Sequence, residues 1–365
     1  MKKVLLLMVA ALFIAGAAVA QTQNKSDVLV SGGSDGNTVN VKQKLEGDDR
    51  NESEVRITDE SDGNGVSINQ RGEDLKSDVE IAYYSSGNTV DVIQRDEDNH
   101  SDVDIYNHSN GNSVAVKQKD ANNDSHVDIY DYSNGNIVEV EQEGEYNDSD
   151  IDIYGGFPSG SNGNYVYVGQ DGESLDSDIE IEYSNGNTVF VEQKGNDQDS
   201  DVGIYGWSNG NVVVVDQDDE ENDSDVYIAN HSNDNTVEVE QDDEDNDSDI
   251  NIYDFSSGNY VAVEQDGEDN DSDVNIYGGG GAGSNGNSVV IEQDGEDNDS
   301  DVEISYSSGN NVVVEQDGYR HDSDIDILDF SNGNTVGVYQ KNGHMDSDVL
   351  ISGYSSGNTV EVNQK

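Results

Sequence analysis

The 365-residue sequence contains no cysteine. That excludes disulfide staples, thiolate metal centres, thiol nucleophiles and lipid attachment through a cysteine. Proline occurs once, at Pro158. Basic residues are scarce, 16 Lys and Arg against 80 Asp and Glu, giving a net charge of -64. Such a surface repels nucleic-acid phosphates and anionic membranes, so neither is an expected partner. Long apolar runs are confined to Leu5–Ala18. That stretch follows Lys2 and Lys3 and precedes a small-x-small sequence, Ala18-Val19-Ala20, so residues 1–20 read as a secretory signal peptide. No other segment is long and apolar enough to span a bilayer as a helix. The expected localisation is therefore secreted, extracellular or at the cell surface. Polarity and charge alone suggest disorder, but a strict repeat overrides them.

After a short segment at 21–25, residues 26–365 form one repeat domain of 14 units. The units open at Ser26, Ser53, Ser77, Ser101, Ser125, Ser149, Ser177, Ser200, Ser224, Ser248, Ser272, Ser300, Ser323 and Ser347, with a usual spacing of 24. One unit reads Ser101-Asp-Val103-Asp-Ile105-Tyr, a loop, then Asn112-Ser-Val114-Ala-Val116-Lys-Gln118. The Asn-to-Gln distance is six residues in every unit, whereas the loop before the Asn varies. It carries four extra residues around Gly155–Gly160 and Gly278–Gly283. Two segments of fixed length joined by a tolerant loop behave as strands and surface turns.

Apolar positions recur with a period of two and are almost all β-branched: Val103 and Ile105 with Val114 and Val116, then Val127 and Ile129 with Val138 and Val140. This pattern predicts half-buried strands. The expected fold is all-β, a β-solenoid of 14 stacked strand-turn-strand repeats of about 24 residues. A single unit buries four medium side chains, worth ~1.5–3 kcal/mol each. That is too little to order the unit alone, so stacking must supply the rest. Ser101, Asn112 and Gln118, Ser125, Asn136 and Gln142, and Ser248, Asn259 and Gln265 edge the inner faces; they predict ladders of identical polar side chains hydrogen-bonded from rung to rung.

Ser-x-Val-x-Ile-Tyr followed by Gly-Asn-x-x-x-x-x-Gln, with Asn eleven and Gln seventeen residues after the Ser, resembles the curlin repeat of bacterial curli fibre subunits. The resemblance covers nearly all of residues 26–364 and implies a two-strand-per-rung solenoid. It further implies self-assembly into extracellular amyloid fimbriae that support adhesion and biofilm, a nucleator, and an outer-membrane secretion pore. Two departures stand out. The family's Gln six residues after the Ser is replaced by Asn107, Asp131, Gly155, Gly206 or Asp254, and its Ala two after the Asn is Val. The last unit ends at Gln364, which predicts an uncapped edge open to a further chain.

The residue after the Ser is Asp in 12 units, among them Asp102, Asp150, Asp178, Asp225, Asp249 and Asp273, with Glu54 and His126 in the other two. It points outward and forms an acidic column. Two readings stay open: a solvated acidic face, or Ca2+ bound weakly by acidic turns such as Asp266–Asp273. No unit matches an EF-hand loop or a Gly-Gly-x-Gly-x-Asp calcium roll. The six His residues form no ligand pair, and no nucleophile-base-acid set, phosphate loop or pocketed carboxylate pair appears, so no enzyme activity and no required cofactor are expected. The alternative to a fibre subunit is a monomeric acidic β-solenoid adhesin, with calcium binding as an open part of that reading. An ice-binding solenoid lacks its flat Thr-x-Thr column here.

Overall fold

The structure is a computed structural model that describes residues 24–47, 50–279 and 282–365; the signal-peptide reading of 1–20 lies outside them. Among the described residues, alternating β-branched residues produce 28 strands, from β1 (Lys25–Val30) to β28 (Thr359–Gln364). All odd-numbered strands form one 14-stranded parallel sheet and all even-numbered strands form another. Each strand between the ends of its sheet pairs with the equivalent strand of the units before and after it. Thus β7 (His100–Ile105) pairs with β9 (Asp124–Tyr130), placing Ser101 beside Ser125, Val103 beside Val127 and Ile105 beside Ile129. In the second sheet β8 (Ser113–Ala121) pairs with β10 (Ile137–Glu145), Val114 beside Val138 and Gln118 beside Gln142. The fold is an all-β, 14-turn parallel solenoid, on the order of 65 Å long at ~4.8 Å per rung.

The period-two pattern decides which side chains enter the narrow space between the sheets. Val103, Ile105, Val114 and Val116 are at most 1% exposed, as are Val127, Ile129, Val138 and Val140. They belong to one apolar cluster that runs from rung to rung through the chain. The units with four extra residues keep the register, because Ile151 still pairs with both Val127 and Ile179. The insertion is expelled as a small surface loop closed by a bridge between Gly156 and Ser159.

The corner after the second strand is tight. Lys119–Ala121 continue β8 beyond Gln118 and pair with Glu143–Glu145, so only Asn122 and Asn123 separate β8 from β9. Gly144 shows how the chain bends there without leaving the ladder. Its φ is +115°, and a Cβ would stand 1.9 Å from the Gly172 carbonyl of the next rung, so a side chain on this backbone would clash; Asp120, in register one rung earlier, holds the same place with a φ of 71°. The other corner also keeps its inter-rung bonds. His108 and Tyr132 take left-handed conformations (φ 63° and 67°), and their amides donate to the carbonyls of Tyr83 and Asn107 one rung earlier, both at 2.9 Å.

Candidate functional site

The inner edge of the rungs is built from amides. Gln118 donates through Nε2 to Gln142 Oε1 (2.9 Å), to the His100 carbonyl (2.6 Å) and to the Asn123 carbonyl (3.1 Å), and it accepts from Gln94 (2.9 Å). The same link joins Gln142 to Gln170, and Gln241 to Gln265 to Gln293. The asparagine column runs the other way. Asn112 Nδ2 donates back to Asn88 Oδ1 and Asn136 back to Asn112, both at 3.2 Å, and Asn259 back to Asn235 at 3.0 Å. Each Oδ1 also accepts the backbone N–H of the following Asn, as Asn112 does from Asn136 at 2.8 Å. A side-chain amide is long enough to reach its copy one rung away.

The serines differ from the expected ladder. Ser101, Ser125 and Ser248 are fully buried and stacked in register, yet their hydroxyls bond to no protein atom. The reason is reach: identical hydroxyls one rung apart stand near 4.8 Å, beyond hydrogen-bond length. A different serine column is bonded. Ser109 accepts the Ser133 N–H and Ser85 accepts the Ser109 N–H, both at 3.2 Å. A third amide column, Asn99, Asn123 and Asn147, was not singled out from the sequence. Asn99 Oδ1 accepts the Asn123 N–H at 3.0 Å and Asn123 Oδ1 the Asn147 N–H at 3.1 Å. Its signal was present, since Asn recurs two residues before the opening Ser, with Gln198 and His321 among the substitutes.

The outer face of the first sheet is a carboxylate array. Asp102, Asp150, Asp178, Asp225, Asp249 and Asp273 lie in one column, flanked on the same face by Asp124, Asp148, Asp176 and Asp199 and by Asp104, Asp128 and Asp152. An open groove runs between the first two columns, lined by His100, Asp124, Asp148, Asp150, Asp176 and Asp201. Partial burial, then like charges, raise the carboxyls of Asp102, Asp150, Asp178, Asp225 and Asp273 above their ordinary values. Asp104 and Asp201 are pushed up to about 7 by the same causes in the same order, and Asp152, Asp223, Asp247 and Asp301 to about 6. His126 interrupts the column as a cation. Its bond to Asp128 lifts it to about 9 against the opposing effect of burial. Among the described residues no group of three or more His, Cys, Asp or Glu is placed to hold a metal ion. The acidic stretch Asp266–Asp273 is spread over two strands and the corner between them.

Aromatic side chains stack along the outer face and in the turns. Tyr106, Tyr130 and Tyr154 form a column with ring centroids 5.1 and 5.0 Å apart and planes within 4°. Tyr253 and Tyr277 repeat it at 5.1 Å. In the turn, His108 lies between Tyr84 and Tyr132, and His231 between Trp207 and Phe255. Burial and nearby carboxylates raise the phenols of Tyr106 and Tyr277 to about 12. No protein-family model and no curated protein matches the chain.

Proposed function

We propose that this chain is a secreted, non-catalytic adhesive rod that acts as a single molecule through its outer acidic columns. The observation behind this reading is the row of outward carboxylates, interrupted by His126 alone in the column of Asp102 and Asp150, over a core of Val and Ile. The filled core of the described rungs supports a reading in which the outer face does the work. The columns suit cationic surfaces directly, and anionic surfaces through Ca2+ held diffusely between neighbouring carboxylates. Retention of the purified chain on cationic, neutral and anionic beads, across NaCl and CaCl2 series, tests this. Binding to cationic beads is expected to fall with NaCl, and binding to anionic beads to require Ca2+. Retention indifferent to bead charge would overturn the reading.

A second reading is a curlin-like fibre subunit, with a nucleator and an outer-membrane pore as partners. The identity of register from rung to rung favours it, because the surface one rung offers the next would also fit a rung of another copy. Against it stands repulsion of ~1 kcal/mol in water for each pair of like charges one rung apart.

A further inference from the structure

Two tyrosine columns on the outer face share one geometry. Tyr106, Tyr130 and Tyr154 lie parallel at 5.1 and 5.0 Å, and Tyr253 and Tyr277 lie parallel at 5.1 Å. Both columns finish in a unit with four extra residues, and in both the last phenol donates a hydrogen bond to a carboxylate of the following rung, Tyr154 to Glu180 and Tyr277 to Glu303. All five rings are half-buried, so one edge of each reaches solvent. We propose that these two columns are oxidative cross-linking sites, at which a peroxidase-type oxidant joins adjacent tyrosines into dityrosine and locks successive rungs covalently.

The chemistry balances without any group on the protein being consumed. Each of two neighbouring phenols loses one electron and its hydroxyl proton, giving two phenoxyl radicals. A carbon–carbon bond forms between their ortho positions. The two ring hydrogens at that bond then return to the oxygens as the rings become aromatic again. The net loss is two hydrogens, and with hydrogen peroxide as the two-electron oxidant they leave in two molecules of water. The fold contributes three things to this. In-register pairing holds the side chains of consecutive rungs side by side, so coupling is intramolecular. An ordinary phenol is already protonated at neutral pH, and burial and nearby carboxylates hold those of Tyr106 and Tyr277 further from ionisation, so electron loss is accompanied by proton loss. Glu180 and Glu303 sit where that proton goes.

Other aromatics provide internal controls. Tyr84 and Tyr132 belong to a stack of similar spacing but are separated by His108. Tyr146 and Tyr319 are 57% and 49% exposed and pair with no other tyrosine ring. The full chain, kept dilute, is treated with a haem peroxidase and hydrogen peroxide. It is then read by dityrosine fluorescence, by intact mass, and by peptide mapping after cleavage at acidic residues. The expected result is a loss of two hydrogens per bond, with links mapped to Tyr106–Tyr130 or Tyr130–Tyr154 and to Tyr253–Tyr277. Tyr130→Phe keeps the stack but should abolish both links of the first column and leave the second intact. Glu180→Gln should slow the Tyr130–Tyr154 link and leave Tyr253–Tyr277 at its original rate. The proposal is overturned if no dityrosine forms, if links join separate molecules or the isolated tyrosines instead, or if Tyr130→Phe leaves the fluorescence unchanged.

Discussion

Replacing Asp104 with Asn should stabilise the rod at neutral and alkaline pH and do nothing in mild acid. The Asp104 carboxyl is partly buried between Glu80 of the preceding rung and Asp128 of the following one, with Asp102 on the same strand and face. In the unfolded chain it titrates near 3.9, whereas in the rod it holds its proton up to about 7. A raised carboxyl pKa means that the folded form binds the proton more tightly. Its stability is therefore fully present below pH ~4 and is lost as pH rises through ~7. The shift taken at face value corresponds to ~4 kcal/mol. Water and salt still reach part of the carboxyl, which lowers the expected gain to ~1–2 kcal/mol. Asn keeps the shape and carries no charge, so D104N should recover this amount above pH ~7.5 and none of it near pH ~4. Urea unfolding of both chains, followed by far-ultraviolet circular dichroism at the two pH values, reads the difference. An equal gain at both pH values, or none at the higher, would refute the argument that buried like charges set the stability of this face.

Gln118→Leu should destabilise by ~2–4 kcal/mol, because the carbonyls of His100 and Asn123 and the amide of Gln94 lose a partner inside the stack. Urea midpoints measure it. Ser101→Ala and Ser109→Ala make a sharper pair. The first removes a buried hydroxyl that bonds to no protein atom and should be neutral or stabilising, while the second strips the Ser133 N–H of its acceptor and should cost ~1–3 kcal/mol. Thermal unfolding of the two variants side by side checks the order. Ile129→Ala should cost ~2–5 kcal/mol by opening a cavity in a core position that is 0% exposed. Hydrogen exchange should then rise most in the rungs either side of it.

Much of this fold could be read from the sequence because one period governs every level of it. A period of two placed Val103, Ile105, Val114 and Val116 inside, and constant Asn-to-Gln spacing placed Asn112 and Gln118 in register with their copies. The outward position of Asp102 and its column follows from the same alternation. The features that escaped depend on lengths in space rather than on order along the chain. A Ser one position from the core looks like a ladder residue until the rung spacing shows that a hydroxyl cannot span it. The Asn99 column was hidden because Leu75, Leu175, Gln198, His321 and Met345 break its recurrence. The tyrosine stacks could not be read from the sequence, since ring planes and centroid distances depend on rotamers. The left-handed His108 and Tyr132 run against intrinsic preference and occur because the turn must keep its inter-rung bonds.

The central functional claim, that the rod acts as a single molecule through its outer columns, is tested most directly by electron microscopy combined with sedimentation of the purified chain. The sample should span residues 21–365 and be incubated at physiological salt and neutral pH. The account predicts persistent monomers seen as rods on the order of 65 Å long. Growth of the sample into fibres with a 4.8 Å cross-β reflection along the fibre axis would contradict it and establish end-to-end assembly in its place.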